Sequence, residues 1–250
     1  MRDSPFRFFW VVLLLSLPFW ILGFATAGTK VIFGLPASAL MFVCPSVAAW
    51  LSLREQPGEF LALVKRVFFP PVGSMPGLLL AAGVMPAVMS ASWLLDRFRG
   101  AEVPLPQITP GRLGLAFAVY FVGAVGEELG WMGVAFEPLR ARLGRWSAAG
   151  VMGVAWGLWH LVPYLAQGRS IRWIAAQCAA TVAFRVVMVW LYDLAGRSVL
   201  SAIVFHTFIN VGYTAYPVEG SYYDPAMVAL LTATLALVLV SIDRIVRDDS

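Results

Sequence analysis

Eight stretches of this chain are each apolar enough, and close enough to twenty residues, to cross a hydrocarbon layer as a helix. A bilayer core of about 30 Å takes about 20 largely apolar residues, and runs of that kind bounded by charge, Pro or Gly cover roughly 8–27, 35–53, 76–95, 113–136, 147–166, 173–195, 199–215 and 225–242. The seventh is short and the second holds two prolines. Inside lipid every backbone N–H and C=O needs an internal partner, so runs of this length read as helices. The composition agrees: 60% of the 250 residues are hydrophobic and 13% charged, against about 25% charged in a soluble domain. The expected architecture is therefore all-α, a polytopic membrane helical bundle of about eight transmembrane helices forming a single domain over 1–250. No internal repeat, low-complexity tract or soluble domain interrupts it.

The net charge of +4 does not point to nucleic acid. The basic residues stand singly between apolar runs instead of gathering on one polar face, and they read as loop anchors beside lipid headgroups. With both termini placed in the cytoplasm, the cytoplasmic segments hold eleven cations (Arg2, Arg7, Arg54, Lys65, Arg66, Arg140, Arg142, Arg145, Arg197, Arg244, Arg247). The opposite side holds six: Lys30, Arg97, Arg99, Arg112, Arg169 and Arg172. The positive-inside bias favours this orientation. Sixteen Arg against two Lys suggest a GC-rich genome, and the compact chain a prokaryotic inner membrane.

The first run, flanked by Arg2 and Arg7 and followed by Ala25-Thr26-Ala27, also has the marks of a signal peptide; its length favours a retained helix. The segment 55–69 mixes charged and apolar residues in the manner of an interfacial amphipathic helix. Cys44 and Cys178 each lie in an apolar run, so no disulfide framework or Cys-based metal site is expected.

An ionisable side chain inside a membrane helix costs about 2.5–3.5 kcal/mol on insertion scales and so is a functional candidate. Few residues qualify: Glu127 and Glu128 in the fourth run, His160 in the fifth, Arg185 in the sixth, and His206 with Asn210 in the seventh. The two histidines are the only ones in the chain. Adjacent helical residues point about 100° apart, so Glu127 and Glu128 face different neighbours and have different jobs. Gly123, Gly126, Gly130 and Gly133 remove bulk beside them and admit another helix closely. A charge network of the Glu pair with Arg185 is the structural alternative. Trp156 lies one turn before His160 on the same face, where an interfacial aromatic belt is the alternative, and Pro163 is expected to end regular helix soon after. His206 and Asn210 share a face through i,i+4 spacing, and an interhelical hydrogen bond is the alternative there.

These residues, taken in order, resemble a known family. Glu-Glu-Leu-Gly-Trp-x-Gly, then aromatic-x3-His, then His-x3-Asn, each on its own membrane helix, are similar to the CAAX protease and bacteriocin-processing (CPBP, Abi) family, the type II CAAX prenyl endopeptidases and their prokaryotic relatives. The stretch from Arg185 to Tyr192, leading through Gly196 to Phe205-His206, is similar to bacterial members. The resemblance covers about 113–213. It implies an intramembrane endopeptidase acting on a membrane-associated peptide or protein in the lipid bilayer. Within it, Glu127 activates water, His160 holds that water, and His206 with Asn210 stabilises the oxyanion. Glu128, Arg185 and Trp156 are supporting residues.

Two positions depart from the family pattern. The family's first motif usually carries Arg five residues after the first Glu, where this chain has Met132, and Arg185 is the candidate to take over that charge balance. Trp156 stands where Phe is more usual, preserving an aromatic wall. Glu127, His160 and His206 have the composition of a His2Glu site for a divalent metal such as Zn2+, but the His-Glu-x-x-His helix motif is absent, and the expectation leans to a water activated by Glu and His with no obligatory cofactor. The competing readings are a non-catalytic bacteriocin self-immunity or membrane scaffold protein, which the resemblance also allows, and a proton-coupled transporter using the same ionisable groups as a relay.

Overall fold

A computed structural model describes residues 5–32, 35–106, 108–216 and 223–248. Arg2, counted above for orientation, lies outside the described residues. The helices are α1 (Pro5–Ala25), α2 (Val43–Leu53), α3 (Glu59–Phe68), α4 (Met75–Phe98), α5 (Pro110–Gly130), α6 (Phe136–Leu143), α7 (Arg145–Ala166), α8 (Ile171–Leu194), α9 (Val199–Ala215) and α10 (Pro225–Asp248). A short antiparallel ladder pairs β1 (Lys30–Ile32) with β2 (Leu35–Pro36) after α1, and a 3-10 stretch, Ala37–Phe42, leads into α2. A π-helical turn, Trp131–Ala135, joins α5 to α6.

Among the described residues, six helical segments are long and apolar enough to cross a membrane: Phe6–Ala25, Met75–Phe98, Pro110–Leu143, Arg145–Ala166, Ile171–Leu194 and Pro225–Ile245. The second and seventh expected crossings are the shorter apolar helices Ala37–Leu53 and Val199–Ala215. At 17 residues, α9 is about 25 Å long, short of a full hydrocarbon layer. The segment expected to be amphipathic does form a helix, α3, which buries Leu63 and Val67 and places Glu59, Lys65 and Arg66 at its two ends. Regular helix ends soon after Pro163 as expected, α7 closing at Ala166; a membrane helix accommodates the interior Pro when neighbouring groups satisfy the freed carbonyl.

The core is a ring of helix pairs. α7 packs on α8 and α8 on α10, while α5 packs on α2 and α9, and α9 on α4. Two glycine pairs set how closely α5 and α7 approach their neighbours. A Cβ at Gly126 would strike Phe42, and one at Gly130 the Pro45 carbonyl, so α2 lies directly against the backbone of α5. Ser46 Oγ donates to the Gly126 carbonyl across the same seam. On α7, Gly153 faces Val182 and Gly157 faces Cys178, drawing α8 in and bringing Arg185 beside α7. Of the other glycines expected to admit a helix, Gly133 meets Leu63 of α3, whereas Gly123 has open space beside it and lines a cavity.

One end of the bundle is tied by ion pairs. Arg140 Nη1 lies 2.6 Å from Asp193 Oδ1, Arg145 Nε 2.8 Å from Asp193 Oδ2, and Arg145 Nη1 2.6 Å from Asp243 Oδ1. This cluster joins α6, α7, α8 and α10. Both cysteines are free.

Candidate active site within the helical bundle

Glu127 and Glu128 sit at the end of α5, just before the π turn, and both are buried. Their side chains diverge. Glu128, fully buried, accepts from both terminal nitrogens of Arg185, at 2.7 and 3.2 Å, and His206 Nδ1 lies 3.0 Å from its Oε1. Arg185 is itself fully buried, with Met188 Sδ 3.0 Å from Nη1. Glu128, Arg185 and His206, from α5, α8 and α9, therefore form one interior charged network. Such a network is tolerable out of water only because its charges are paired and hydrogen-bonded.

Glu127 turns the other way. Its Oε2 accepts the indole N–H of Trp156 at 2.8 Å, and the residue lines a cavity of about 580 Å³ together with His160 and Asn210. An adjoining cavity of about 500 Å³ shares walls at Tyr120, His160, Tyr164 and Asn210 and continues to Lys30, Arg112 and Arg169 at its mouth. The first lobe is mostly apolar, built by Leu35, Leu40, Met41, Phe42 and Val119 around Glu127; the second carries the cationic groups. Arg169 stacks over the Trp173 ring at 4.9 Å.

Both histidines have their tautomer fixed by an acceptor. His160 Nδ1 lies 3.0 Å from the Trp156 carbonyl one turn earlier on α7, and a carbonyl only accepts, so Nδ1 carries a proton and Nε2 is the nitrogen left for a water. His206 Nδ1 likewise donates to the Glu128 carboxylate, leaving Nε2 for a second partner. Aromatic rings hold both in place. His160 stacks on Tyr164 with centroids 5.8 Å apart and meets Trp159 edgewise at 4.8 Å, while the His206 ring meets Trp156 edgewise, also at 4.8 Å.

The structure thus brings Glu127, His160 and Asn210 to one cavity, and Glu128, Arg185 and His206 to the network behind it. The expected charge partner of Glu128 is in place, supplied by α8. Met132, at the position of the family's usual Arg, is buried and apolar. The three residues named as potential metal ligands do not gather: among the described residues no group of three His, Cys, Asp or Glu side chains is arranged to hold a metal ion. Glu127 Oε2 and His206 Nδ1 are engaged by Trp156 and Glu128. The donor set as arranged among the described residues does not fit a metal.

Sequence reasoning missed the walls. Tyr164 was available from the i,i+4 spacing to His160, and Tyr120 from its place two turns before Glu127. The 3-10 stretch from Ala37 to Phe42 gave no signal, because its role depends on where β2 delivers it. The last turns of α9 are pinned by hydrogen bonds from three helices: Tyr120 to Thr214 at 3.3 Å, Gln177 to Tyr213, and Ser90 to Tyr216. They fix the register of Asn210 against α5.

Residues 109–212 match the family described as type II CAAX prenyl endopeptidase Rce1-like. The chain is 28% identical over 144 residues to a protein named CAAX prenyl protease 2 from Methanococcus maripaludis. That alignment covers 51% of this chain and 52% of the archaeal protein, so the chain spans about half the length of the curated relative it matches. The matched stretch holds Glu127, Glu128, Trp156, His160, Arg185, His206 and Asn210, but not the cavity walls built by Leu35, Leu40, Met41 and Phe42. Over residues 109–212, less than half of its length, the chain is similar to the Rce1-like type II CAAX prenyl endopeptidases.

Proposed function

We propose that this integral membrane protein is an intramembrane endopeptidase that hydrolyses a peptide bond of a membrane-associated peptide or protein, with its catalytic core at 113–213. The observation that carries this reading is the meeting of Glu127, His160 and Asn210, from three separate helices, at a single cavity of about 580 Å³. Glu128 meanwhile is committed to Arg185 and His206.

The chemistry follows from the free positions of these groups. Trp156 engages one oxygen of Glu127, and the other is left to take a proton from a water that His160 Nε2 holds as acceptor. The resulting hydroxide adds to the scissile carbonyl carbon. The oxyanion receives the Asn210 carboxamide N–H, with His206 standing behind it in the Glu128 network; losing one such donor typically costs about 10²–10³ in rate. Collapse breaks the C–N bond, and Glu127 returns the proton to the departing amine. The apolar lobe binds the substrate's lipid-facing or lipid-modified portion. The orientation with both termini cytoplasmic belongs to the same reading.

The test uses the full chain in lipid nanodiscs with two internally quenched probes. One is a peptide ending in a farnesylated Cys-aliphatic-aliphatic-X sequence, the other a peptide anchored by a transmembrane helix. Cleavage of either by the wild type and by no Glu127→Gln variant is the expected result. Protection of cells against a bacteriocin that persists in Glu127→Gln, with neither probe cleaved, overturns the reading in favour of a non-catalytic immunity protein.

A further inference from the structure

Trp156 touches four polar groups of the site, Glu127, His160, Arg185 and His206. Its indole N–H donates to Glu127 Oε2 at 2.8 Å, its carbonyl accepts from His160 Nδ1 at 3.0 Å, its ring face receives the Arg185 guanidinium 4.4 Å from the centroid, and its edge meets the His206 ring at 4.8 Å. It is buried, at 4% exposure, and it is absent from the walls of both cavities. A side chain placed this way acts on substrate only through its neighbours.

We infer that Trp156 is a positioning residue whose indole N–H orients the Glu127 carboxylate for proton abstraction, a function that a phenylalanine at this position could not perform. The inference rests on the endopeptidase reading for its consequence, but on geometry alone for its contact.

A glutamate has three rotatable side-chain bonds, and a buried carboxylate lacking a donor would pay a desolvation cost and sample several directions. The indole N–H removes both problems at Oε2. It also breaks the symmetry of the carboxylate, since one oxygen is hydrogen-bonded and the other is free to accept the water's proton. The donor is held rigidly from three sides. Gly153 and Gly157 seat α7 against α8, the Arg185 guanidinium lies on the ring in a cation–π contact, and Glu128 in turn fixes that guanidinium through two hydrogen bonds. Glu128 thus reaches Glu127 through Arg185 and Trp156, a path of packed, hydrogen-bonded groups linking two carboxylates that point apart. Phe would keep the ring face and lose the N–H, which makes Trp156→Phe the informative substitution.

The experiment has two arms on the full chain in nanodiscs. In the first, indole 15N–1H spectra are compared for wild type, Trp156→Phe and Glu127→Gln. Of the ten tryptophan indole resonances, the one lost in Trp156→Phe is expected to be the one most displaced in Glu127→Gln, because a neutral amide oxygen is a weaker acceptor than a carboxylate. A Trp156 resonance unmoved in folded Glu127→Gln overturns the inference. If Trp156→Phe does not fold, displacement of a single indole resonance in Glu127→Gln supports the contact and its absence overturns it. In the second arm the kinetics of cleavage of the two quenched probes are compared. Trp156→Phe is expected to lose kcat by on the order of ten- to a hundredfold with KM within about twofold. A purely structural role predicts a lowered melting temperature with wild-type kcat for the folded fraction, and that result overturns the inference. If wild type cleaves neither probe, the endopeptidase reading fails, and the first arm still decides the contact.

Discussion

Arg185 holds both carboxylate oxygens of Glu128, at 2.7 and 3.2 Å, with neither side chain exposed to solvent. One residue earlier in sequence, Glu127 shares none of this and faces the cavity. The two carboxylates therefore respond differently to the same chemical change.

Glu127→Gln is expected to fold with a melting temperature within a few degrees of wild type and to cleave no probe. Glu128→Gln is expected to lose stability first, because it leaves the Arg185 charge buried and uncompensated. Differential scanning fluorimetry in detergent beside the cleavage assay separates the two; equal melting temperatures would contradict the division of roles.

Breaking the pair from its other side has the same logic. Arg185→Ala removes the partner of a fully buried carboxylate, and removing one member of such a pair costs about 3–5 kcal/mol. The double substitution Glu128→Leu with Arg185→Met removes both charges and is expected to recover much of the lost stability. Wild-type folding yield and activity in Arg185→Ala would show that Arg185 does not balance Glu128.

The seam between α2 and α5 is expected to tolerate no side chain. Gly130→Ala would place a methyl group against the Pro45 carbonyl, and overpacking of that kind typically costs about 1–3 kcal/mol. The control is Gly123→Ala, where the added Cβ meets open space and stability is expected to be unchanged. Thermal unfolding of the two variants side by side makes the comparison.

Lys30, Arg112 and Arg169 meet at one cavity mouth, whereas Arg140 and Arg145 join the ion-pair cluster with Asp193 and Asp243. In the proposed orientation these groups mark opposite membrane faces. In a chain with Cys44 and Cys178 replaced by Ala, a membrane-impermeant thiol reagent is expected to label Cys introduced at Arg112 from one side of sealed vesicles and Cys introduced at Arg142 from the other. Labelling of both from the same side would refute the two-faced arrangement.

Much of this arrangement was legible because lipid makes polar residues conspicuous. Glu127, Glu128, His160, Arg185, His206 and Asn210 stand out for being expensive where they lie, and helical periodicity says that adjacent glutamates diverge. What periodicity leaves open is which glutamate turns where. That follows from Gly153 and Gly157 admitting α8 and so delivering Arg185 to Glu128, a consequence of pairing between helices. Likewise Trp156 reads from sequence as an aromatic wall, since an indole N–H declares its partner only once α5 and α7 are packed. The short run 199–215 coincides with α9, whereas the run 35–53 did not reveal that α2 begins only after a 3-10 stretch. An apolar run announces a helix near the bilayer but not the depth at which it stops.

That depth has a bearing on water. The bond between Tyr120 and Thr214 levels α5 with the final turn of α9, and from Tyr120 to Glu127 is seven positions along α5, about 10 Å at 1.5 Å per residue. The first two turns of α5, with Arg112, rise beyond that level, so the vestibule has one tall wall and one low sill. On the proposed hydrolysis, the water reaching Glu127 and the new polar ends leaving it pass over the low sill of α9, about 10 Å from the carboxylate along α5.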